Sequence, residues 1–150
     1  MNLADRYDIA LSSGLLRCAH TKALRSSHSL RQRCSAYQTM PRDEMLVSVL
    51  REAHLCAFEL KSMAETAEHM GVPGSDPQVQ SLMVRSEDLR RRLLQVAVDA
   101  KADQLSPASV YFDDIVNSQL IHAAGLGLLS RLDSVAVSQA SQREQEPAHV

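Results

Sequence analysis

The chain has 150 residues, 45% of them hydrophobic and 3% aromatic, with 16 basic and 18 acidic side chains and a net charge of −2. That length suits one domain with a real core, and the near-neutral balance excludes a chain that binds polyanions over its whole surface. Five glycines, five prolines and no tryptophan exclude a turn-rich β-sandwich and a collagenous or linker-like chain.

The first expected helix covers about 3–37. Ile9, Leu16, Ala23, Leu30, Cys34 and Tyr37 lie on one seam, with Ser13, His20 and Ser27 between them. Gly14 and the Ser26-Ser27 pair are places where this helix could break. Segment 9–42 carries six basic residues and no acidic one, and is rich in serine. Within it Arg17, Lys22, Arg25, Arg31 and Arg33 are the candidate polyanion-binding residues. No aromatic lies among them to stack on bases, which favours an acidic protein surface over single-stranded nucleic acid. The same composition overlaps that of organellar transit peptides, although Asp5 and Asp8 stand where such peptides avoid acid.

The second helix, about 42–70, shows the strongest periodicity. Leu46, Val49, Ala53, Cys56, Leu60, Met63, Ala67 and Met70 step by three and four without interruption. Leu50, Ala57 and Ala64 widen this seam beyond that of a two-stranded coiled coil, so the helix belongs to a bundle. Pro41, Asp43 and Glu44 mark its start, and Gly71-Val72-Pro73-Gly74 its end. Segment 43–76 has two basic residues against seven acidic, a net −5. The basic first helix is therefore expected along the acidic second.

Ser75-Asp76-Pro77 opens a third helix, about 77–104, with a cap followed by proline. Its seam is Val79, Leu82, Ser86, Leu89, Leu93, Val96 and Ala100. The short connection makes helices two and three antiparallel neighbours. Ser106-Pro107 predicts a fourth helix over 107–137, with Tyr111, Phe112, Ile115, Val116, Leu120, Ala123, Leu126, Leu129 and Leu132 inward. His122 falls on that apolar side and reads as a core or interface histidine. Gly125 and Gly127 imply a bend or a close backbone approach. Residues 139–150 lack apolar periodicity and are expected to be a disordered tail. The fold class is thus all-α: an antiparallel bundle of three to four long helices, with one domain over 1–138.

Catalytic and cofactor signatures are not found. No Gly-rich loop precedes Lys and Ser/Thr, and Gly125-x-Gly127 lacks its third glycine. Glu65 and His69 are one turn apart, but a di-iron bundle needs Glu-x-x-His pairs, and there are none. Cys18, Cys34 and Cys56 match no metal or disulfide framework. They point to a reducing intracellular compartment, cytoplasm or nucleus, with organellar import as the alternative. The longest apolar stretch, Leu120–Leu129, holds His122 and is too short to span a membrane. No cofactor, metal or small-molecule substrate is expected, and the chain does not read as an enzyme.

Ala57-Phe58-Glu59-Leu60-Lys61-Ser62 resembles the signature of histidine phosphotransfer domains, in which a helical His is followed by Lys three residues later and then a small residue. Phe58 stands in the place of that His and cannot accept a phosphoryl group. The resemblance implies at most a phosphotransfer-like helical domain without its phosphorylatable residue.

Apolar residues also stand off the seams. Leu55 and Phe58 on the second helix, and Val84, Leu94 and Val98 on the third, take outward positions. They are the candidate interface. The expected function is a non-catalytic helical subunit or adaptor that joins a larger complex or self-associates. The alternative is a small nucleic-acid-associated protein using segment 17–33.

Overall fold

The computed structural model describes residues 2–145. Four α-helices follow one another: α1 (Leu3–Thr39), α2 (Asp43–His69), α3 (Pro77–Lys101) and α4 (Ser118–Gln145), with a single 3-10 turn at Pro107–Ser109. Among the described residues there is no strand. The helices run up, down, up and down. α1 packs along α2 and α4, α2 packs along α1 and α3, and the α3–α4 side closes only loosely.

The local chemistry explains most helix ends. Asn2 caps α1, its side-chain oxygen accepting the Asp5 amide at 2.8 Å. Asp76 caps α3 by accepting the Gln78 amide at 2.9 Å, with Pro77 as the first helical residue. α2 ends in a Schellman turn. Gly71 takes φ 106°, the Val72 amide reaches back to the Ala67 carbonyl, and Val72 is buried. α3 ends the same way three residues earlier than expected, with Asp103 at φ 55° and the Gln104 amide on the Asp99 carbonyl.

α1 is continuous through Gly14 and Ser26-Ser27. Both hydroxyls turn back onto their own helix, Ser26 to the Lys22 carbonyl at 3.0 Å and Ser27 to the Leu24 carbonyl at 2.9 Å. Burial follows the expected seams on three helices. On α1 it takes Leu16, Ala23, Leu30, Cys34 and Tyr37. On α2 it takes every seam position but Met70, and on α3 Val79, Leu82, Ser86, Leu89 and Val96. Ser86 is satisfied across the helix pair, donating to the Ala57 carbonyl at 2.7 Å.

The helix expected over 107–137 is corrected. Residues 110–117 form an irregular strap, and α4 begins only at Ser118, where Asn117 caps it by accepting the Leu120 amide at 2.9 Å. Val110, Phe112, Ile115 and Val116 are all buried. At 100° per residue Val110 and Phe112 would point to opposite sides of a helix, so only an irregular path buries them together. Side chains satisfy its carbonyls. Gln38 donates to Val110 at 3.2 Å, Arg92 to Tyr111 at 2.9 Å, and Arg85 to Ile115.

The inward seam of α4 shifts accordingly, to Ile121, Ala124, Leu128, Leu129 and Leu132, and Ala123 and Leu126 are exposed. The expected tail divides: 139–145 continue α4, since polar Gln, Ser, Arg and Glu extend an existing helix at little cost, and 146–150 lie outside the described residues.

α1 is about 55 Å long and α2 about 40 Å, at 1.5 Å per residue. α2 ends beside Leu15, against Glu65, Thr66, His69 and Met70. The first three turns of α1 therefore project past the α2–α3 hairpin. α4 accompanies them, tied by the Ser13 hydroxyl to Asp133 at 3.3 Å.

Candidate functional site

All five expected interface residues are exposed, but they do not form one patch. Leu94 (68% exposed) lines a groove between α2 and α3 with Leu50, His54, Arg90, Leu93 and Ala97. The groove holds about 350 Å³. Helix register extends it. Val47 lies three residues before Leu50, Phe58 four after His54, and Val98 four after Leu94, all one turn away on the same face. Phe58 is 55% exposed, so neither α1 nor α4 covers it. Val84 lies on the other flank of α3, in the cleft facing the strap, and Leu55 is exposed one turn before Phe58 but does not line the groove.

The groove floor is apolar, with a cation set into it. Arg90 is half-buried, and its Nε is fully buried with no hydrogen-bond partner among the described residues. The Arg90 guanidinium has no carboxylate partner among the described residues, so an acid brought to the groove by a ligand meets an uncompensated cation. Arg90, His54, Leu93 and Ala97 carried no outward signal in the sequence. Arg90 sits next to an ordinary seam position, and only the packing of α3 on α2 brings it to the groove.

The cleft between α3 and the strap is larger, about 770 Å³. Its cations are already engaged. Arg92 grips Asp114 with two hydrogen bonds of 2.8 and 3.2 Å, which holds the Asp114 carboxyl below its usual range and raises Arg92. Arg91 pairs with Glu87 at 3.6 Å, and Arg85 is held by Ser81 and the Ile115 carbonyl. This cleft is a structural lock for the strap.

The five candidate polyanion-binding residues of α1 do not converge. Arg33 turns to α2, pairing with Glu52 at 3.6 Å and contacting Ser48. Arg31 turns to the strap, pairing with Asp113 at 3.5 Å. Arg17, Lys22 and Arg25 are exposed. Two of the five thus serve internal contacts with separate elements.

His122, expected in the core or at an interface, is exposed; among the described histidines the buried one is His20. The rings stack with centroids 5.7 Å apart. His20 lies over Gly125, where an added Cβ would come within 2.5 Å of its ring. Burial, His122 and Arg17 push its pKa below 6.5, against a hydrogen bond to Ile121 that raises it.

Among the described residues no cluster of three or more His, Cys, Asp or Glu is placed to hold a metal. Cys34 and Cys56 are buried, and burial pushes both thiols up to about 12, so neither forms a reactive thiolate near neutrality. No described helix is long and apolar enough to cross a membrane. No protein-family model, curated protein or solved structure matches the chain.

Proposed function

We propose that the protein is a non-catalytic helical subunit that joins an assembly through the outer groove of the α2–α3 hairpin. The observation that carries this reading is the groove itself. Phe58 toward one end of the groove, and Leu94 and Val98 toward the other, are large and exposed, and Arg90 lies between them without a hydrogen-bond partner for its Nε among the described residues. Apolar and aromatic anchors around a desolvated arginine are the composition of a contact centre. The cysteines fit a reducing compartment, where a free buried thiol persists.

A polyanion-binding role for Arg17, Lys22, Arg25, Arg31 and Arg33 is weaker, because Arg31 and Arg33 are engaged on different elements.

The test is the size of the native assembly. In an extract of cells expressing it, the chain should elute well above its own 16.5 kDa. The double variant Phe58→Glu, Leu94→Glu should elute at that mass with unchanged helix content. A wild-type chain that elutes as a monomer in the extract overturns the reading.

A further inference from the structure

We propose that the groove takes the projecting end of α1 from a second copy of this chain. The inference rests on the groove being the contact site, and it names the occupant.

The occupant must be an apolar ridge of matching length that brings an acceptor for Arg90. The projecting end of α1 has these properties. Leu3, Tyr7, Leu11 and Leu15 recur every four residues and form one ridge. They are 81%, 70%, 57% and 47% exposed, an unusual accumulation on one stretch of helix. The ridge spans about 18 Å from Leu3 to Leu15, against about 16 Å for the groove wall from Val47 to Phe58. Asp8 follows Tyr7 directly, at the edge of the ridge, and is exposed. It supplies the carboxylate that Arg90 lacks. An amphipathic helix lying in an apolar groove is a recurrent recognition mode.

The ridge cannot reach its own groove. α1 is one continuous helix from Leu3 to Thr39, and its first turns point away past the end of α2. The groove lies toward the opposite end of the hairpin, at α2 residues 47–58 and α3 residues 90–98. Ridge and groove are different surfaces of one molecule, so their contact is heterologous. Two copies exchange ridges reciprocally, or the contact repeats from head to tail.

This arrangement has a signature that symmetric pairing lacks. Leu11→Glu removes the ridge and keeps the groove. Leu94→Glu removes the groove and keeps the ridge. Light scattering and sedimentation of the purified full-length chain over a wide concentration range should show association for the wild type and none for either variant alone. An equimolar mixture of the two variants should again associate and stop at a dimer, because one intact ridge and one intact groove remain. Both sites are solvent-exposed, so circular dichroism should show unchanged melting. Tyr7→Glu and Val98→Glu replace either variant that fails to fold.

Wild type that stays monomeric at every concentration overturns the proposal. So does association that survives Leu11→Glu, which means groove meets groove, or survives Leu94→Glu, which means ridge meets ridge. A mixture that stays monomeric overturns it as well. If the pure chain is monomeric while Leu94→Glu still dissolves the larger assembly in extracts, the groove reading stands and its occupant is another protein.

Discussion

α1 meets two helices, and the two interfaces are built differently. Toward α2 the contact is a heptad seam in which Val49, Ala53, Cys56, Leu60, Met63 and Ala67 are almost fully buried. Ser26 touches Cys56 within it, and Arg33 reaches Glu52 and Ser48 at its margin. Toward α4 the contact centres on a buried imidazole, a glycine that makes room for it, and a second histidine on top. The first interface draws on area and packing. The second depends on one ring staying neutral and one residue staying small. Damage to the first should scale with volume removed, and damage to the second with volume or charge added.

The largest effect should come from removing volume on the α2 seam. Leu60 is fully buried. Leu60→Ala is expected to cost about 2–5 kcal/mol in chemical denaturation, the range for a large-to-small change in a packed core. A loss below about 1 kcal/mol would show that α2 is not the centre of the core.

Adding volume on the α4 side should cost somewhat less. Gly125→Ala puts a Cβ within 2.5 Å of three atoms of the His20 ring. Overpacking of this kind costs about 1–3 kcal/mol. It should be relieved by also making His20→Ala, so the double variant should be less destabilised than the two single effects added together. Simple additivity would mean that the glycine is there for some other reason.

Charge should weaken the same contact. The pKa of His20 lies below 6.5 in the folded chain, so the unfolded chain binds its proton first as the pH falls. The stability from neutral His20 is complete above about 6.5 and declines as pH drops through that value toward the folded pKa. The groups acting on it are His122 from α4, Arg17 from α1 and the Ile121 backbone. Glu59 of α2 acts instead on Cys56. Among the described groups that act on His20 there is no carboxylate to compensate the imidazolium. The wild-type melting temperature should fall between about pH 7.5 and about pH 5.5, and His20→Gln should fall less over that window. Equal slopes would remove His20 from the pH response.

The contrast between these interfaces also marks what could be read from the residues. The α2 seam was legible because apolar residues repeat at three and four, and burial rewards that repeat directly. The α4 seam was not. A proline cap at Ser106-Pro107 and a run of apolar residues from Tyr111 predict a helix, but Val110, Phe112, Ile115 and Val116 are buried by an irregular strap whose carbonyls are met by Arg85, Arg92 and Gln38. Those partners are far away in the chain, so no local pattern encodes them. The same shift moved His122 outward. Exposure of Phe58, Leu94 and Val98 followed from register, while the place of Arg90 in their groove needed the packed hairpin.

The smallest effect separates Gly14 of α1 from Gly125 of α4. Gly14 is on the projecting end of α1, and a Cβ built there meets nothing within 4 Å. It lies in mid-helix, where glycine costs about 1 kcal/mol relative to alanine through backbone entropy. Gly14→Ala should therefore stabilise the chain by about 0.4–1 kcal/mol, with slower amide exchange in the first turns of α1. The same substitution thus has opposite signs at Gly14 and Gly125, because one Cβ enters solvent and the other enters an imidazole. A destabilising Gly14→Ala would mean that the projecting end of α1 is covered closely in solution. If a second molecule supplies the covering atoms, dilution to the monomer would then restore the expected sign, since the described residues of the chain place none there.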